Sequence, residues 1–135
     1  MRMISGFLVG LALLASPATA AEKVYICAVK SGEEDGGWLS KEYAFAVDAD
    51  TGAVAVSDPV VLYFNKGQPA DGKLVAATDA KTVFTWSVLA HNSAGQRTRM
   101  SYRGVLFSDG SEFSVTGKPI GYSNSYSAWG NCQPG

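Results

Sequence analysis

The chain has 135 residues, with 11 Lys and Arg against 12 Asp and Glu and a formal charge of -1 at neutral pH. That length suits one domain, and the balanced charge argues against a general nucleic-acid binder, which would show a basic excess. A hydrophobic content of 47% with 17% charged residues is too apolar for a disordered chain. One histidine and two cysteines leave few metal ligands. We therefore expect one globular domain without a metal or a cofactor.

The first 20 residues have the pattern of a secretory signal peptide. One positive charge, Arg2, precedes an apolar run over residues 4–15, and small residues occupy the −3 and −1 positions of a cleavage site after Ala20. The run is shorter than the about 20 apolar residues of a membrane span. We predict a signal peptide at 1–20 and a single all-β domain at 21–135, periplasmic or secreted and not membrane-anchored.

Export gives the two cysteines a structural meaning. An even number of cysteines in an oxidising compartment indicates a disulfide, here between Cys27 and Cys132. Such a bond closes a loop of about 100 residues, which the chain-entropy model values at about 4–5 kcal/mol. The spacing of a redox-active C-x-x-C motif does not occur. We predict that this bond ties together the two ends of the fold.

The mature chain shows period-two hydrophobic alternation and no sustained helical period, which predicts β-strands. The predicted strands are 24–29, 43–47, 53–57, 60–64, 74–77, 83–90, 97–107, 112–116 and 126–132. Tyr43, Phe45 and Val47 should share one face of a strand, and so should Phe84, Trp86 and Val88.

Short polar connections separate these strands. Asp109-Gly110 predicts a type I′ hairpin turn, and further turns are predicted at Asp71-Gly72, 50–52 and 92–95. The segment 32–37 is the expected mobile loop. Short connections favour an antiparallel up-and-down barrel of about eight strands, closed by the terminal disulfide. A two-sheet β-sandwich is the alternative, since both arrangements protect the sheet edges.

Three arginines recur with strand spacing in the predicted strand 97–107. Arg97, Arg99 and Arg103 should lie on one face with Ser101. Guanidinium groups bind carboxylates and phosphates through paired hydrogen bonds, so this column is a candidate anion-binding site. The alternative is a solvated outer face on which the arginines pair with cross-strand acids such as Glu112.

The C-terminal stretch 121–130 is rich in Tyr, Ser, Asn and Gly, as protein-binding loops are. Its candidate binding residues are Tyr122, Asn124, Tyr126 and Trp129. The same composition suits a saccharide, with Trp129 or Tyr122 as a stacking platform. The alternative is a final loop and strand whose aromatic rings cover the core.

The sequence contains no arrangement typical of catalysis. His91 is the single imidazole and lies beside a predicted turn, and no G-x-S-x-G nucleophile motif occurs. We expect no catalytic residues and no enzymatic activity.

The layout resembles small secreted β-barrel proteins of the bacterial envelope that have no assigned activity. The likeness rests on the signal peptide, the early Val24-Tyr-Ile-Cys27 strand, the Trp86 strand, the 95–103 segment and the closing Gly121-Tyr-Ser-Asn with Cys132. A looser, architectural resemblance is to periplasmic inhibitors of C-type lysozyme. Their inhibitory Ser-Gly-x-Lys/Arg-Tyr loop corresponds most nearly to residues 93–97, which have one residue more and lack the Tyr.

These patterns together predict an exported, non-enzymatic binding module whose partner is a protein or a saccharide of the envelope. The alternatives are a carrier of a small apolar or anionic ligand in the barrel mouth and a protein that acts like a lysozyme inhibitor. The sequence does not determine the oligomeric state.

Overall fold

Eight antiparallel strands form a closed barrel in a computed structural model that describes residues 22–32, 37–91 and 93–135. The elements are β1 (Glu22–Gly32), β2 (Glu42–Asp48), β3 (Ala53–Ser57), α1 (Pro59–Phe64), β4 (Ala70–Ala77), β5 (Lys81–His91), β6 (Arg97–Phe107), β7 (Glu112–Pro119) and β8 (Tyr126–Pro134). Each strand pairs with its chain neighbour, and β8 pairs with β1. The predicted barrel is confirmed over the sandwich. The predicted signal peptide and most of the predicted mobile loop at 32–37 lie outside the described residues.

Alternating residues of each strand fill the barrel interior. The predicted inward faces are confirmed, because Tyr43, Phe45 and Val47 are buried on β2, as are their counterparts at 84, 86 and 88 on β5. The ring of Phe45 lies 4.9 Å from that of Phe84 and 5.7 Å from that of Trp86. Packed aromatic rings therefore occupy the centre of the barrel.

The prediction of a strand at 60–64 is wrong, because α1 occupies this segment. The Asp58 carboxylate accepts hydrogen bonds from the backbone N–H groups of Val60 and Val61, and Pro59 stands at the first helical position. An Asp N-cap and a proline at this position both favour a helix start. The β-branched run suggested a strand, but the cap and the burial of Val61 against the core decide for the helix.

The turn predicted at Asp71-Gly72 is also wrong, because both residues lie within β4. A Cβ atom at Gly72 would lie 2.5 Å from the Thr85 carbonyl oxygen and 3.3 Å from the Trp86 Cβ. Gly72 thus permits a close approach of β4 to β5, a common role of glycine inside a strand.

The hairpin at Asp109-Gly110 is confirmed, but its predicted type I′ geometry is wrong. Positive φ angles occur at Ser108 (50°) and Gly110 (87°) and not at Asp109. The Asp109 carboxylate accepts a hydrogen bond from the Ser111 N–H at 3.0 Å, an Asx-turn that organises the loop differently from a two-residue turn.

The predicted disulfide is confirmed and closes the barrel. Cys27 of β1 and Cys132 of β8 lie directly opposite each other in the β1–β8 ladder and are bonded, with a sequence separation of 105. The bond therefore joins the first and the last strand at the seam where the sheet meets itself.

The up-and-down topology places α1 and the described connecting residues 37–41, 58–69, 93–96 and 120–125 at one end of the barrel. We call this end the rim. The connections 49–52, 78–80 and 108–111 lie at the other end, together with Glu22 and Gly135. The rim gathers residues that are far apart in the sequence.

Candidate cationic face and aromatic rim

Three arginines and a lysine stand on the outer surface of two neighbouring strands. We call this surface the cationic face; it consists of Arg97, Arg99, Arg103 and Lys118. All four are exposed, while the intervening Met100 and Tyr102 of β6 are buried. The predicted one-sided arginine column is thus confirmed.

The residues opposite the arginines in the ladder carry no negative charge. Arg103 lies between Thr85 and Thr116, Arg99 lies opposite Leu89, and Arg97 lies opposite His91. Arg99 donates a hydrogen bond from Nη1 to Ser87 Oγ at 3.2 Å. Glu112, the acid that the alternative interpretation invoked, pairs with Phe107 at the far end of β6 and β7.

Charge is distributed unequally between the two halves of the barrel. Strands β5 to β8 contain five basic residues and one acid, which are Lys81, Arg97, Arg99, Arg103, Lys118 and Glu112. Strands β1 to β4 contain four acids and three lysines, which are Glu22, Glu42, Asp48, Asp71, Lys23, Lys30 and Lys73. The net charge of the chain is small, yet strands β5 to β8 carry an excess of positive charge.

Aromatic side chains from separate connections meet at the rim. The ring of Phe64 lies 6.2 Å from that of Trp38, 4.8 Å from that of Tyr63 and 5.6 Å from that of His91. We call these four residues together with Tyr122 the rim cluster. Tyr63 and Tyr122 are 77% and 65% exposed, so the cluster presents aromatic surface to solvent.

The cationic face and the rim cluster meet at Arg97. An open groove of about 460 Å³ is lined by Trp38, Ala90, His91, Gln96, Arg97, Thr98 and Tyr122. A second groove, of about 520 Å³, is lined by Phe64, Lys66, Leu89, His91, Gly95 and Arg97. Arg97 and His91 form part of both grooves.

The predicted binding residues of the C-terminal stretch are not all brought together. Tyr122 lies at the rim with Arg97. Asn124 donates a hydrogen bond from Nδ2 to the Tyr126 hydroxyl at 2.7 Å, and the Tyr126 ring packs against the core. Trp129, 51% exposed, lies on the outside of β8, two strands away from the arginines. Tyr126 therefore fits the core-covering alternative, while Tyr122 and Trp129 remain exposed.

The sequence did not single out the rim aromatic residues Trp38, Tyr63 and Phe64, nor the neighbouring cation Lys66. Tyr63 and Phe64 were assigned to a strand, and Trp38 follows a glycine-rich acidic segment without a periodic pattern. The Asp58-Pro59 pair was the available signal, since it is a typical helix start.

A buried polar network holds the rim segments in place. Ser40 donates from Oγ to Asp58 Oδ1 at 2.6 Å, and the Ser40 N–H donates to the Tyr43 hydroxyl at 2.9 Å. The Tyr102 hydroxyl donates to the Trp38 carbonyl oxygen at 2.8 Å. Burial raises the pKa of both the Asp58 carboxyl and the Tyr43 phenol, although hydrogen bonds from Ser40 oppose the rise. The network thus fixes both α1 and the segment that carries Trp38.

Comparison with protein-family models, curated proteins and solved structures found no match. Within residues 22–32, 37–91 and 93–135, no group of three or more His, Cys, Asp or Glu is placed to hold a metal ion. In the same residues no helix has the length and apolar character needed to cross a membrane.

Proposed function

We propose that the protein is an exported, non-enzymatic binding module of the bacterial envelope that holds a negatively charged partner. The observation that carries this proposal is the position of Arg97, which belongs both to the cationic face and to the aromatic groove at the rim. The partner binds along β6 and anchors at the groove.

The physical support is an excess of positive charge without acids opposite it. Like charges on one sheet face repel each other weakly, and an anionic partner replaces this repulsion with charge-assisted hydrogen bonds to guanidinium groups. The exposed aromatic rings add apolar contact area at the groove, as buried aromatic anchors commonly do at interfaces.

The alternatives are less well supported. A carrier needs space inside the barrel, but the rings of Phe45, Phe84 and Trp86 pack together there. The single imidazole, His91, packs edge-to-face on Phe64, which gives no support to nucleophilic catalysis. A protein like the lysozyme inhibitors would use Arg97 and Ser93, and only Arg97 lines the grooves described above.

We expect the protein recovered from its own host to begin at Ala21 and to be lighter by two hydrogens than the reduced chain. The reason is that the signal sequence directs export and cleavage after Ala20, and the disulfide removes two thiol hydrogens. Intact-mass spectrometry under native and denaturing conditions measures both. An uncleaved chain contradicts export, and a small molecule released on denaturation favours the carrier instead.

We expect the triple substitution Arg97→Ala, Arg99→Ala and Arg103→Ala to abolish retention on a carboxylated polymer at physiological ionic strength. Surface electrostatic attraction acts within a Debye length of about 8 Å at this salt concentration, so each arginine contributes where the polymer lies directly against it, and removing all three removes the whole column. The matched control is Lys23→Ala, Lys30→Ala and Lys73→Ala, which removes the same charge from β1 and β4. Elution salt concentration is the readout. Equal loss in both triple variants means that net charge alone governs retention, which contradicts the proposal.

A further inference from the structure

We propose that the groove lined by Trp38, Arg97 and Tyr122, called the rim groove below, binds an acidic sugar ring. The cationic face then holds the following units of the same saccharide chain. This inference rests on the proposed function and adds the chemical class of the partner.

The groove lining combines the groups that an acidic sugar requires. Trp38 and Tyr122 provide aromatic surface, and Arg97 provides a guanidinium group for a carboxylate. Gln96 and Thr98 add polar groups to the same lining. The groove thus combines two aromatic side chains with several polar groups, and polar groups of this kind fix the orientation of a ligand in a small-molecule site.

Hydroxyl side chains surround the arginines on the outer sheet face. Thr85 and Thr116 flank Arg103, and Ser87 lies opposite Ser101, whose other neighbour is Lys118. Each hydroxyl both donates and accepts hydrogen bonds. A surface of hydroxyls and cations therefore complements a ligand that carries hydroxyls and carboxylates, as an acidic saccharide does.

Two common modes of peptide binding, strand addition and helix docking, have no counterpart on the cationic face. Extended peptides commonly add a strand to an exposed sheet edge, but the described sheet closes on itself through the β1–β8 pair and leaves no such edge. Helical peptides need a hydrophobic groove, whereas the cationic face is polar. The hydroxyl groups around the arginines favour an acidic saccharide, and polyglutamate is the comparison ligand for an acidic peptide bound by the arginines.

The spacing of the cations implies a chain of several sugar units. Arg97 and Arg103 are six residues apart on β6, which corresponds to about 20 Å at a rise of about 3.4 Å per residue. A single sugar in the groove touches only Arg97. We therefore expect affinity to increase from monomer to oligomer.

Titration of the mature, disulfide-bonded protein with oligogalacturonate tests the inference, with galacturonate, neutral dextran and polyglutamate as comparison ligands. We expect binding to oligogalacturonate, with Arg97→Ala weakening it about tenfold or more because a charge-assisted hydrogen bond is lost. We expect Tyr122→Ala to weaken it as well. The control variants Lys81→Ala, at the far end of β5, and Trp129→Ala, on β8, should change affinity less than about twofold, as interface periphery does.

The outcomes separate this inference from the proposed function. Binding of polyglutamate as tight as that of oligogalacturonate, unaffected by Tyr122→Ala, overturns the saccharide and leaves the anion-binding module intact. Equal binding of neutral dextran overturns the requirement for an acidic sugar. Failure of every polyanion to bind overturns both the inference and the proposed function.

Discussion

Replacing Cys27 and Cys132 together with alanine is expected to lower the free energy of unfolding by about 4–5 kcal/mol. The bond spans a sequence separation of 105, and in the chain-entropy model a loop of about 100 residues contributes about 4.7 kcal/mol by restricting the unfolded chain. A domain of this size has a total stability of about 5–15 kcal/mol. The substitution therefore removes a large part of what keeps the barrel folded. Urea denaturation of the mature protein measures the loss.

The reduced wild-type protein is the control for this experiment. Cys27 is fully buried, so alanine also leaves a small cavity, whereas reduction breaks the cross-link and keeps both side chains. A stability of the reduced protein close to that of the double alanine variant assigns the effect to the cross-link. A loss below about 1 kcal/mol on reduction would show that the β1–β8 ladder holds the seam without the bond, contrary to the chain-entropy argument.

Loss of the bond should also expose the seam. The ladder between β1 and β8 is the place where the chain ends meet, and its opening leaves two unpaired strand edges. Unpaired edges promote association between chains. The disulfide therefore keeps these two strand edges paired and also stabilises the fold.

The barrel was predictable because its signals are local. The alternation of Tyr43, Phe45 and Val47, or of Phe84 and Trp86, indicates strands with one buried face. Two cysteines allow only one intramolecular pairing. The strand bounds 53–57 and 97–107 agree with the structure, and the one-sided arginine column follows from strand geometry alone.

The rim was not predictable because it depends on contacts between distant segments. Trp38, Phe64 and His91 come from three different connections or strand ends, and no local pattern shows that they meet. The run after Pro59 has high strand propensity, yet the Asp58 cap makes it a helix. The local cap, together with the burial of Val61 against the core, outweighs strand propensity here.

One buried carboxylate connects two of the segments that carry the rim cluster. Asp58 caps α1, which carries Tyr63 and Phe64, and it accepts the hydroxyl of Ser40, which lies in the same segment as Trp38. A substitution at Asp58 should therefore change both the stability of the protein and the positions of the aromatic side chains that line the two grooves.

Asp58→Ala is expected to lower the free energy of unfolding by about 3 kcal/mol. Loss of an N-cap costs about 0.5–2 kcal/mol, and buried donors left without an acceptor cost about 1–3 kcal/mol more. Asp58→Asn keeps an oxygen acceptor for the Val60 N–H and the Ser40 hydroxyl, so its cost should stay below about 1 kcal/mol. Chemical denaturation at neutral pH compares the two variants. Equal losses in both would show that the capping oxygen is not what stabilises the helix.

The pH dependence of stability gives an independent test of the same residue. Because burial raises the pKa of Asp58 in the folded state above its ordinary value of 3.8, the folded protein binds this proton more tightly than the unfolded chain does. Protonation of Asp58 should therefore increase the free energy of unfolding as the pH falls from the raised pKa towards 3.8. This stabilisation should be lost as the pH rises through the raised pKa. Asp58→Asn should remove this contribution, whereas Asp79→Asn, at an exposed acid in the β4–β5 turn, should keep it. If Asp58→Asn shows the same increase in the free energy of unfolding at low pH as the wild type, another group causes the increase. The Asp58 carboxyl then does not make the stability of the rim depend on pH.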